Sequence, residues 1–238
     1  MTKLLEKLDW DSNFFGFPVF RCYWNSLIDQ NELVDADIEN NSLVYLFSNA
    51  IFRPEKNLRQ TYHIKSFEGN IEYEWSYAHE VLARQNIQIS EWLSETTTKE
   101  LNDLCLQSGI YSRFYLDSSF SSHLYKRLYL TWLKKSLDGI LADHTFVIDA
   151  KQPKGFITLK RANTAEIGLL AVDQKYRGKG LAKNLVRECQ NKLIQSNIKK
   201  CRVKTQIVNQ AACKLYEDMG FREINRYQIF HLWRKQKT

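Results

Sequence analysis

The chain has 238 residues, 44% of them hydrophobic and 13% aromatic, enough for a packed core and incompatible with a disordered or low-complexity chain. The formal net charge of +7 favours an anionic partner. The basic residues gather at 175–183 and 199–204 rather than in a long run with interleaved aromatics, which favours a phosphate-bearing small ligand over a nucleic-acid groove.

In chain order, residues 30–39 and 97–107 read as helices, and 42–48, 62–67 and 71–75 as strands. The opening LDWDSNFFGFPVFR reads as an aromatic satellite core with a turn at Asp11–Asn13. Residues 121–137 read as a helix with Leu124, Leu128, Trp132 and Leu133 on one face and Gly139 as its C-terminal cap. Strands follow at 144–150, 155–161 and 166–172, the first two joined by a hairpin-like turn at Lys151–Gly155. A helix at 181–195, a strand at 200–208, a helix at 209–219 and strands near 221–225 and 227–233 complete an α+β, mixed-sheet layout. The five cysteines (Cys22, Cys105, Cys189, Cys201, Cys213) are odd in number and lack CxxC spacing. They read as reduced, buried thiols of a cytoplasmic protein, with no metal site expected. No signal peptide is read at the N-terminus, and no run of about 18 apolar residues is present, so no membrane span is expected.

The segment QKYRGKGLA (174–182) joins the strand at 166–172 to the helix at 181–195. Glycines at 178 and 180 let backbone amides turn toward one anion, the helix adds its positive end, and Arg177 and Lys179 supply mobile countercharge. The alternative is an ordinary βα turn with a solvated basic rim. GxGxxG and GxxxxGK[ST] are both absent, so neither a dinucleotide fingerprint nor a P-loop is present. Further on, Asn209 stands as an N-cap, and Tyr216 lies about two helical turns later on the same side. Spacing alone is equally met by a capping Asn and a half-buried core Tyr.

Residues 144–234 resemble the GNAT acyltransferase superfamily, which binds acetyl-CoA. The phosphate signature [QR]xxGx[GA] is met at Gly178 and Gly180, with Lys175 in its first place. The pattern NxxAxxxYxxxGF is met at Asn209, Ala212, Tyr216, Gly220 and Phe221. The resemblance implies a central mixed β-sheet flanked by helices, with a smaller N-terminal α/β region. It implies that the backbone of Leu170, Ala171 and Val172 holds the pantetheine arm of acetyl-CoA. The segment Arg177, Gly178, Lys179, Gly180, Leu181, Ala182 and Lys183 would hold the pyrophosphate. It further implies that Asn209 contacts the cofactor and that Tyr216 is the general acid for the departing CoA thiolate. Glu166 is similar to the base-bearing strand of the histone-acetyltransferase branch and is a candidate base; the alternative is a solvated strand-edge carboxylate. Glu68, His63 and His144 are further titratable candidates that the sequence does not order. No Ser/His/Asp or Cys/His set is needed, because the superfamily transfers its acyl group directly.

Three words upstream of residue 140, WDSNFFG (10–16), SRF (112–114) and LYLTWL (128–133), resemble a group within this superfamily. That group N-acetylates dTDP-4-amino-4,6-dideoxygalactose (dTDP-fucosamine). The implied organisation is a substrate-side region at 1–111 and an acetyl-CoA-binding domain at 112–238. The implied acceptor is the amine of a nucleotide-linked aminodeoxysugar, with Arg113 toward the anionic nucleotide; its alternative is a salt bridge at a helix start. A homodimer is implied as well. Two other functions stay open: acetylation of a protein N-terminus or another small amine, and a non-catalytic acyl-CoA-binding module.

Overall fold

A computed structural model describes residues 4–77 and 87–236. The chain divides into two compact units, residues 1–70 with 226–238, and residues 71–225. The contacts therefore group residues 71–111 with 112–225, across the expected cut at 111/112.

The first unit contains β1 (Glu6–Lys7), α1 (Asp9–Phe15), β2 (Val19–Trp24), α2 (Asn31–Val34), β3 (Leu43–Ser48), α3 (Lys56–Thr61) and the start of β4 (Tyr62–Ser76). The second contains the rest of β4, then β5 (Ile89–Glu91), α4 (Lys99–Ser108), α5 (Arg113–Leu116), α6 (Ser122–Leu137), β6 (His144–Ile148), β7 (Gly155–Lys160), β8 (Ala165–Val172), α7 (Leu181–Gln195), β9 (Lys200–Gln206) and α8 (Gln210–Asp218). The last strand, β10 (Arg222–Arg234), returns the chain to the first unit.

The first unit is built on strands in the order β1-β2-β3-β10-β4. Its sheet is mixed, since β2 and β3 run parallel while β10 is antiparallel to β3. Alternate residues of the strands (Cys22; Val44 and Leu46; Phe230 and Leu232) meet Leu33 of α2 and Leu58 of α3 in one core. A Cβ at Gly69 would stand 2.9 Å from the carbonyl carbon of Tyr227, so β4 and β10 approach more closely there than any other residue permits.

Several expectations for this region change. The stretch at 9–15 is helical, not a turn, and closes at Gly16 with φ of 81°. The expected helix over 30–39 is confined to Asn31–Val34, and Ala36 and Ile38 beyond it pack against the core from non-helical chain. The strands expected at 62–67 and 71–75 are one strand through Gly69, and those near 221–225 and 227–233 are likewise one. β2 arises from a stretch for which the sequence carried no strand expectation.

The second unit has the strand order β4-β9-β8-β7-β6-β5. β5 through β8 pair antiparallel, and β8 and β9 pair parallel. α7 packs on β6, β7 and β8, α4 packs on β7 and β8, and α6 packs on α4. The fold is thus a mixed α/β sheet structure flanked by helices, as expected, and its second-half elements fall close to the predicted places. The hairpin turn before Gly155 and the cap at Gly139, with φ of 76°, are also present. In α6 the buried stripe is Tyr125, Leu128, Tyr129 and Leu133, while Leu124 and Trp132 are only partly covered. The expected face is therefore rotated by about one residue, because the tyrosines, not Leu124, reach α4.

Candidate active site

The site is assembled within the second unit, where β8 and β9 part. These strands are paired in register over Ala165–Ile167 and Cys201–Val203, yet β8 runs on to Val172 and β9 to Gln206. Past the last pair the two strand ends line a cavity of about 510 Å³. Gly168, Leu169 and Leu170 line it from β8, and Lys204, Thr205 and Gln206 from β9. Parallel strands ending at a common opening are a usual place for ligands, because loops and helix starts converge there.

From the end of β8 the chain makes a single 3-10 turn, Gln174–Tyr176, and then the glycine segment. Gly178 and Gly180 have φ of 76° and 73°, the left-handed conformation that a Cβ opposes. Gly180 precedes α7 without any side-chain cap, and the first helical closure is from the Asn184 amide to the Gly180 carbonyl at 3.2 Å. Among the described residues, the amides of residues 178–183 have no acceptor within the chain. These are the orphan donors of a helix start extended by a glycine turn, a preformed anion nest. Lys179 has no acidic partner among the described residues and lies 5.5 Å from the Tyr176 ring centroid. Lys183 is paired with Asp218 at 2.9 Å. Arg177 is not the mobile countercharge expected. Its Nε donates to the Val172 carbonyl at 3.0 Å and its terminal nitrogen to Gln107 Oε1 at 3.4 Å, so it ties the turn to the end of β8 and to α4.

α8 brings in the next two groups. Asn209 Oδ1 accepts from the Ala212 amide at 3.2 Å, the N-cap that sequence predicts, and Asn209 also lines the cavity. Tyr216, on the same side of the helix, is 4% exposed and lines the cavity with it. The Tyr216 hydroxyl has no hydrogen-bond partner among the described residues. Burial raises its pKa above the ordinary tyrosine range, and the thiols of Cys201, Cys189 and Cys213 add to the rise. The phenol is therefore protonated at neutral pH.

Glu166 also lines the cavity, at its exposed rim, with Lys204 Nζ 3.8 Å from its carboxylate. Leu170, Glu166, Asn209 and Tyr216 thus share one cavity, whereas Ala171 and Val172 are buried beyond its wall. Arg113 is not among the cavity-lining residues; its guanidinium carbon lies 4.5 Å from the Phe114 ring centroid in α5. His144 is engaged with Glu91 at 2.5 Å. Sequence reasoning missed Tyr129 and Trp132 of α6 as cavity-lining residues. It also missed Thr205 and Gln206, which a search of strand ends just before Asn209 would have reached.

The GNAT acetyltransferase family model matches residues 90–221, more than half of the chain. N-alpha-acetyltransferase 30 of Saccharomyces cerevisiae is 39% identical over 66 residues, which are 28% of this chain and 38% of that protein. The spore coat polysaccharide biosynthesis protein SpsD of Bacillus subtilis is 27% identical over 140 residues, which are 57% of this chain and 47% of that protein. The matched regions thus span less than half the length of these relatives. A solved GNAT-family structure from Novosphingobium aromaticivorans superposes with a TM-score of 0.56 at 15% identity. That match covers 99% of this chain and 91% of the other, and at such identity it is a likeness of fold. With more than half its length matched by the family model, the chain belongs to the acetyltransferase (GNAT) family.

Proposed function

We propose that the protein transfers an acetyl group from acetyl-CoA to the amine of a nucleotide-linked aminodeoxysugar. The observation that carries the cofactor half of this reading is the run of unpartnered amides at 178–183 beside the opening between β8 and β9. Those amides suit a pyrophosphate, and the β8 edge past Ile167, which no longer pairs with β9 and presents Leu170 to the cavity, suits an extended amide-bearing arm such as pantetheine. Acetyl-CoA supplies an activated thioester acyl group. Tyr216 holds a proton on Oη at the cavity wall, available to a leaving sulfur, and its burial keeps that proton in place. Glu166, at the cavity rim, would take a proton from an incoming amine. Asn209 holds the start of α8, and with it Tyr216, against the cavity.

Three features favour a sugar acceptor: the motif words at 10–16, 112–114 and 128–133, the cavity-lining aromatics Tyr129 and Trp132, and the cavity-lining polar residues Thr205 and Gln206. The similarity to a polysaccharide biosynthesis protein extends over more of the chain than the other reported match. A second reading, acetylation of a protein N-terminus, draws on the shorter but more identical match to N-alpha-acetyltransferase 30. The deciding experiment offers acetyl-CoA with nucleotide-linked aminosugars, peptides with free N-termini and polyamines, and follows release of free thiol. Turnover with nucleotide aminosugars is expected; turnover with peptides alone would replace the first reading by the second.

A further inference from the structure

The opening between β8 and β9 begins at an irregularity that the sequence does not announce. β7 and β8 pair Ile157 with Leu170 and Leu159 with Ile167, so Thr158 stands against two residues, Gly168 and Leu169. This is a β-bulge, and it coincides with the place where β8 leaves β9, immediately after Ile167 pairs with Val203. The Leu169 amide, displaced from the ladder, is taken up by a side chain: it donates to Thr158 Oγ1 at 2.8 Å. Thr158 is 1% exposed and Leu169 is partly buried at the cavity wall, so this hydroxyl is the acceptor the chain itself supplies to the amide. Gly168 completes the fit, since a Cβ there would stand 2.9 Å from the same hydroxyl oxygen. A bulge bends its strand and ends pairing on the free side.

We infer that Thr158 is a positioning residue for acetyl-CoA: its hydroxyl locks the bulge at Gly168–Leu169 and so holds the β8 edge away from β9. This rests on the acetyl-CoA reading above. Thr158 acts through the Leu169 amide and needs no contact with the reacting atoms. Valine keeps the shape of threonine but removes the acceptor, leaving the partly buried Leu169 amide without its partner in the chain. The strand then gains from shifting into regular register, which closes the opening. Serine keeps the acceptor.

The test is direct acetyl-CoA binding by calorimetry to the parent, Thr158→Val and Thr158→Ser proteins, with far-UV circular dichroism and cooperative melting to verify folding. Binding about tenfold weaker in Thr158→Val, with Thr158→Ser within a few-fold of the parent, is the expected result. Equal affinity in folded Thr158→Val would overturn the inference while leaving the cofactor reading intact. A parent protein that does not bind acetyl-CoA would overturn both. Should Thr158→Val fail to fold, Gly168→Ala disturbs the same hydroxyl from the opposite strand. It is expected to weaken binding in the same way, and parent-like binding by folded Gly168→Ala would equally overturn the inference.

Discussion

Gly109, at the end of α4, lies against the ring of Tyr129 in α6 so closely that a Cβ at 109 would overlap the tyrosine ring carbons and stand 2.8 Å from Tyr125 Oη. Tyr125 Oη in turn donates to the Leu106 carbonyl at 2.5 Å, so two tyrosines one helical turn apart clasp the end of α4. Tyr129 is also a wall of the cavity. Gly109→Ala is therefore expected to lower stability by about 1–3 kcal/mol, the usual cost of overpacking, and to raise the KM of the acceptor more than that of acetyl-CoA. Chemical denaturation and steady-state kinetics with each substrate varied would check both effects.

Tyr216→Phe removes a hydroxyl that satisfies no described group, so no partner is orphaned and stability is expected to change little. Turnover is expected to fall by about 10²–10⁴-fold while acetyl-CoA still binds, the signature of a lost general acid. Unchanged kcat would remove Tyr216 from the chemistry.

Gly178→Ala isolates the glycine turn. Nothing lies within 4 Å of a Cβ at this position, so the substitution acts only through its φ of 76°. The cost is about 1–2 kcal/mol of backbone strain, relieved by turning the amides out of the nest. Acetyl-CoA is expected to bind more weakly and to raise the melting temperature less than it does for the parent, where ligand at 100 times its Kd adds about 2.7 kcal/mol. An unaltered thermal shift would exclude these amides from the cradle.

Glu74 on β4 accepts from Arg202 at 2.8 Å and pairs with Lys200 at 3.0 Å, both on β9. The hydrogen bonds to Arg202 and then Lys200 hold its carboxyl below the ordinary glutamate range. A lowered folded-state pKa contributes stability that is fully present above the unfolded value. That stability is lost as pH falls through the folded value. Glu74→Gln is therefore expected to be less stable than the parent at pH 7, and the difference is expected to narrow as pH is lowered through the acid range below about 4.5. Urea denaturation midpoints at several pH values would reveal this convergence; a constant difference would mean that the pair carries no pH-linked stability.

Much of the second unit was legible in the sequence because its signals are local. A helix start with glycines before it must expose amides, and an Asn seven residues ahead of a Tyr on one helix must share a side with it. The exposed amides at 178–183, the cap at Asn209 and the shared side of Asn209 and Tyr216 follow from such short-range rules. The first unit was less legible: strands were expected separately at 62–67 and 71–75, although Gly69 between them lets β4 pass beside Tyr227 without ending.

By itself, then, the sequence determined the cofactor-side elements and their order, since each depends on backbone preferences within a few residues. Only the tertiary structure decided where β8 parts from β9, that Arg177 is spent on Val172 and Gln107, and that Tyr129, Trp132 and Tyr216 line one cavity. Those are relations between residues far apart in the chain. They are set by strand register and by the close approach of α4 to α6, which no local pattern encodes.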